Sequence, residues 1–185
     1  MKFIILTFFL TMLISESKYK EPPFTLLETI NNIEIRQYNE CVVAKTTVPI
    51  QKSKSDNDMF KILASYIFGG NENQQDIPMT APVTTFKGDR SYDMLFYMLE
   101  AGDIEDLPKP LNQNISFEKF NLEKCAVINF SWFANDFKVR KYEKRLKQFL
   151  EDNNYVQASP FMLNRYNSPY ALPWNRKNEI LVKIN

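Results

Sequence analysis

The apolar segments in the second half of this chain repeat the order of those in the first at an offset of about 84 residues. Residues 115–120 answer to 33–38, Cys125-Ala126-Val127-Ile128 to Cys41-Val42-Val43-Ala44, and a helical stretch at 137–151 to one at 59–68. The strand-like run 179–184 answers to 94–99. Matching order at a matching offset predicts two copies of one strand–helix–strand unit. At this length they are expected to pack as one pseudo-symmetric α+β domain over 18–185.

Local signals agree. Two strand-like runs, 25–30 and 33–38, flank Asn31-Asn32, and asparagine tolerates the left-handed backbone that a two-residue hairpin turn needs. Residues 41–48, rich in β-branched side chains, read as a third strand. A polar loop over 51–58 ends in aspartates that suit the positive end of a helix dipole, so the first helix is expected at 59–68. Pro78 and Pro82 lack backbone donors, which keeps 77–82 from pairing fully as a central strand. This segment is expected to enter a strand from a sheet edge, with pairing from about Val83.

The first residues read as a processing signal. Lys2 precedes an apolar run at 3–14, and Ser15-Glu16-Ser17 puts small residues where a signal peptidase reads. The run is too short to cross a bilayer core of ~30 Å. Residues 1–17 are therefore expected to be cleaved, leaving a secreted, monomeric protein that starts at Lys18 and has no transmembrane segment. In an oxidising compartment Cys41 and Cys125 could form a single bridge, worth about 4 kcal/mol in the chain-entropy model, or remain two buried thiols. Asn114-Ile115-Ser116 and Asn129-Phe130-Ser131 are N-glycosylation sequons. A net charge of +1 with dispersed basic residues gives no electrostatic basis for nucleic-acid binding.

The two helices differ. The second carries Val139, Tyr142, Leu146, Phe149 and Leu150 on one stripe, with lysines and arginines around the rest. That basic face is either solvated or drawn to acidic surfaces. In the first, between Met59 and Phe68, only Lys61 and Ser65 are polar. A helix apolar nearly all round must be covered on both sides or offer an apolar face to a ligand.

Three motifs surround and follow this helix. Tyr66-Ile67-Phe68-Gly69-Gly70-Asn71 ends it, Ile77-Pro78-Met79-Thr80-Ala81-Pro82-Val83 follows, and the tail runs from Asn167-Ser168-Pro169 through Arg176-Lys177-Asn178-Glu179-Ile180. In this combination and order the chain resembles the SOUL family of haem-binding proteins, from roughly residue 33 to the C-terminus. The resemblance implies a distorted antiparallel β-barrel, or curved sheet, with two flanking helices. It also implies an apolar groove beside the first helix that holds haem or another porphyrin. Carried onto this sequence, Met59, Phe60, Leu63, Ala64 and Tyr66 would line that groove. Tyr170, Leu172 and Trp174 of the C-terminal loop would face it, with Arg176, Lys177 and Lys61 available to the propionates. Ser65 and Leu172 stand where the family can carry basic residues.

The chain contains no histidine. Iron ligation is thereby left to tyrosine, cysteine or methionine, of which Tyr66, Tyr170 and Met59 would be nearest the groove. Haem binding is expected to use a non-histidine ligand or none, and to suit carriage rather than redox chemistry. Without imidazole there is also no Ser–His or Cys–His pair, and no P-loop, dinucleotide fingerprint or metal-cluster spacing occurs. The reading is a tetrapyrrole carrier and not an enzyme. The alternatives are a binder of another planar hydrophobic molecule, and a protein- or membrane-interaction module.

Overall fold

A computed structural model describes residues 19–50, 56–168 and 170–185. The expected signal peptide and residues 51–55 of the polar loop lie outside the described residues. Strands β1 (Phe24–Ile30), β2 (Ile33–Tyr38) and β3 (Cys41–Pro49) precede helix α1 (Asp56–Ile67), and β4 (Val83–Lys87) and β5 (Ser91–Tyr97) follow it. Then come β6 (Ile115–Phe120), β7 (Lys124–Phe130), helix α2 (Asp136–Asp152), β8 (Met162–Arg165) and β9 (Asn178–Lys183). The strands form one antiparallel nine-stranded sheet in the order β1-β2-β7-β9-β8-β4-β5-β3-β6.

Each element starts and stops for a local reason. Asn31 and Asn32 both take positive φ, 47° and 62°, so β1 turns into β2 with Ile30 opposite Ile33. This is the primed turn whose twist matches that of the strands. Asp56 and Asp58 occupy the first turn of α1, where the helix dipole favours negative charge. The helix ends at Gly69, whose φ of 87° is left-handed. Gly70 follows because a Cβ there would lie 2.4 Å from the Ser65 carbonyl oxygen. The buried Asn71 then ties off the turn: its Nδ2 donates to the carbonyls of Tyr66 and Gln75, and its Oδ1 accepts from the amides of Asn73 and Gln75. The Tyr66-to-Asn71 motif is thus a helix stop. Asn135 caps α2 by accepting from the Lys138 amide at 2.9 Å.

The proline-rich motif feeds an interior strand. Pairing begins at Val83, as expected, but β4 lies between β5 and β8 and not at a sheet edge. Both prolines precede the ladder, so neither removes a bond from it. The sheet is also open, with β1 and β6 as its ends, so the barrel implied by the resemblance is a curled half-barrel. The curl is visible in the packing of the face without helices. There Phe120 of β6 touches the cluster of Tyr38, Cys125 and Leu181 as well as that of Val43, Leu95 and Tyr97. Cys41 and Cys125 are both free thiols. Burial pushes the Cys41 thiol up to about 11 and the Cys125 thiol up to about 12.

A candidate ligand cleft between the two helices

Helix α1 lies over β3 and β5, and α2 over β7 and β9. Met59, Leu63, Ala64, Tyr66 and Ile67 of α1 are buried against Val42, Ala44, Met94, Phe96 and neighbours. Leu146, Phe149 and Leu150 of α2 are buried in a separate cluster with Ile33, Ile128 and Ile180. Among the described residues, nothing covers the central strands β4 and β8 between the N-terminal turns of the two helices, and a cleft of about 660 Å³ opens there. Asp56 of α1 borders one side, and Val139, Arg140 and Glu143 of α2 the other. Val48, Ile50, Phe161 and Leu163 supply apolar surface.

Charge is distributed around this apolar surface. The cations Lys87, Arg140 and Arg165 and the acids Asp56, Asp136 and Glu143 all line the cleft. Arg165 Nη2 lies 2.9 Å from Asp56 Oδ2, and its Nη1 donates to Thr85 Oγ1 at 3.2 Å. Burial holds the Glu143 carboxyl above its ordinary value, against the opposing pull of Lys87 and Arg140. A smaller hollow of about 300 Å³ shares Ala134 and Arg165 with the cleft and runs to Phe133 and Arg176. The Arg176 guanidinium lies over the Phe133 ring, 4.6 Å from its centroid.

Such a cleft can clasp a flat apolar molecule that carries carboxylates. Its size falls within the usual range for small-molecule sites, and its cations can meet acidic substituents. For haem, the porphyrin faces and propionates fit the side chains present. Axial ligation fits poorly, because Tyr92 is the lining residue of a common haem-ligand type and burial raises its phenol above the ordinary value. Among the described residues no cluster of histidine, cysteine, aspartate or glutamate could hold a metal ion.

The site residues expected from the sequence fall into two separate groups. Met59, Leu63, Ala64 and Tyr66 are core residues rather than groove residues, with exposures of 0, 0, 9 and 0%. A helix laid on a sheet must bury one face, and this is that face. Ala101, Ile104 and Leu107 pack against the same cluster, and Tyr66 donates to the Pro108 carbonyl at 3.0 Å. Phe60 is half-buried, its ring 5.3 Å from that of Phe96. The C-terminal loop packs beside Trp132 and not over α1: the Trp132 amide donates to the Pro173 carbonyl, and Trp174 lies 6.5 Å from the Trp132 ring. Tyr170 and Leu172 are exposed, and Lys177 pairs with Glu21 at 2.9 Å. Arg176 alone of the ten lines one of the hollows described. Asp56, Lys87, Val139, Glu143 and Arg165 carry no local sequence signal, since the cleft exists only where distant elements meet.

A model of the SOUL heme-binding protein family matches residues 19–183. Human heme-binding protein 2 is 30% identical to this chain over 155 residues, covering 80% of this chain and 75% of the relative. Among solved structures, the C-terminal domain of EcmrR superposes with a TM-score of 0.65 at 12% identity, covering 83% of this chain and 96% of that one. A hydrolase from Listeria innocua superposes with a TM-score of 0.58 at 10% identity, covering 85% and 94%. At those identities the two structures share only the fold with this chain. The family match runs from the first described residue to Lys183, and this chain belongs to the SOUL heme-binding protein family.

Proposed function

We propose that this protein is a secreted, monomeric, non-catalytic carrier of haem or another tetrapyrrole, and that the ligand sits in the cleft between the two helices. Family membership supports the ligand class. The observation that carries the site is the cleft itself, where apolar walls are ringed by Lys87, Arg140 and Arg165. The porphyrin face would rest against Val48, Val139 and Phe161, and its carboxylates would meet the cations. Binding rests on the macrocycle and its carboxylates and not on an iron–histidine bond, since the chain has no histidine. Sheet order supports reading the domain as two repeats, because β2-β7-β9-β8 on one side of the centre is answered by β6-β3-β5-β4 on the other. The cleft then lies across the pseudo-symmetry axis. Titrating residues 18–185 with hemin and with iron-free protoporphyrin, followed by absorbance, tests this function. Saturation by both at one equivalent supports it. Saturation by hemin alone would point to an iron ligand, and saturation by neither would leave the second reading, a different planar apolar acid, in its place.

A further inference from the structure

Both tryptophans of the chain, Trp132 and Trp174, sit on one surface patch. The Trp132 amide donates to the Pro173 carbonyl at 3.0 Å, which ties the β7–α2 connection to the C-terminal loop. Phe133 lies edge-on to Trp132 at 6.5 Å, Leu172 adjoins Pro173, and Phe137 stands in the first turn of α2. These five side chains are between 45 and 75% exposed. Exposed aromatic rings gathered in the way of Trp132, Phe133 and Trp174 mark a contact site more often than a free surface. Helix α2 begins at Asp136, shortly after Trp132 and Phe133, and carries charge. Phe137, Lys141 and Lys144 fall at i, i+4 and i+7 on one face, beside Arg140 and Lys147, and all are exposed. The whole chain carries only +1, so this concentration of cations belongs to the face and not to the composition.

We propose that this surface docks on an anionic lipid bilayer, with the rings of Trp132, Trp174 and Phe137 at headgroup level and the α2 cations over the lipid phosphates. Tryptophan favours that boundary because an apolar ring and a polar N–H are satisfied together there. Adjacent lysines and arginines add attraction to the negative leaflet surface. Arg140 also lines the cleft and Phe133 the smaller hollow, but Trp132, Trp174, Phe137, Lys141 and Lys144 line neither, and the docking requires no ligand in the cleft.

The absence of other tryptophans makes intrinsic emission a direct reporter of this patch. The test uses residues 18–185, so that the apolar run at 3–14 contributes nothing; the described fold begins at Tyr19. Vesicles of phosphatidylcholine with about a third phosphatidylserine are expected to shift the emission to the blue and to sediment the protein, and pure phosphatidylcholine to do neither. Lys141→Ala with Lys144→Ala is expected to lower partitioning by roughly fivefold per cation. Trp174→Ser, at an exposed site, should weaken binding and reduce the shift. No sedimentation with the anionic vesicles would overturn the proposal. Sedimentation without a blue shift would do so too, since the charges would then adsorb without the rings. An equal shift with soluble heparin would assign the face to an acidic glycan instead.

Discussion

Arg165 and Asp56 meet at the edge of the cleft, with Nη2 of one 2.9 Å from Oδ2 of the other. The contact joins β8 to the first turn of α1, elements from opposite halves of the chain. Both side chains are partly exposed, at 31 and 42%, so the pair adds no more than about 1 kcal/mol to stability. A ligand carboxylate can therefore displace Asp56 at small cost. Arg165→Leu is expected to weaken hemin and protoporphyrin binding about tenfold, the loss of one charge-assisted hydrogen bond. Asp56→Asn frees the guanidinium and should tighten both. Parallel titrations of the three proteins measure the two effects.

Glu143 sets a pH dependence. Burial raises its carboxyl above the ordinary value, with Lys87 and Arg140 pulling the other way. Its charge opposes an anionic ligand, so binding takes up a proton there. Affinity is expected to rise as the pH falls through the raised folded value towards the ordinary carboxylate range. The sign for stability is the same: a raised folded value favours the fold at low pH, and that contribution is lost as the pH rises through it. Glu143→Gln should flatten the slope and hold the low-pH affinity throughout.

The face without helices holds a buried ion pair, Arg36 Nη1 to Glu179 Oε1 at 3.0 Å, with side chains 4 and 0% exposed. Arg36 Nη1 also donates to Tyr38 Oη, and Tyr166 Oη donates to Glu179 Oε2. Arg36→Met strands the carboxylate and is expected to cost about 3–5 kcal/mol in urea unfolding. The double change Arg36→Met with Glu179→Leu should recover much of that. Neither should alter porphyrin affinity in protein that remains folded, because the pair lies across the sheet from the cleft.

The two glycosylation sequons differ in structure. Asn114 is exposed before β6, whereas Asn129 lies within β7 opposite Glu179, its Nδ2 3.4 Å from Glu34 Oε1. In material exported from eukaryotic cells, a single glycan at Asn114 is expected. Asn114→Gln should abolish the mass shift on deglycosylation and Asn129→Gln should leave it unchanged.

Much of the fold was legible because its signals are local. The Asn31-Asn32 turn, the strands at 33–38 and 115–120 and the α2 stripe are each specified by neighbours in sequence. What was not legible depended on tertiary placement. An α1 apolar on nearly every side says it will be covered but not by what, and the burial of Leu63 and Tyr66 against the sheet follows only from the fold. Pro78 and Pro82 exclude pairing only where they stand, so the sheet edge they suggested did not carry over to β4, which lies between β5 and β8. The cleft gathers Asp56, Lys87, Val139 and Arg165 from four elements, and no single stretch of sequence marks them as a group.

The most direct measurement sets two substitutions against each other in a protoporphyrin fluorescence titration, with circular dichroism confirming that each variant is folded. Val139→Glu puts a carboxylate on the cleft wall, and Phe60→Ala trims the side chain of α1 that a groove along that helix would use. Loss of binding with Val139→Glu and near-normal binding with Phe60→Ala is the result expected of a ligand held between the helices. Normal binding with Val139→Glu and loss with Phe60→Ala would contradict it and move the ligand to the first helix.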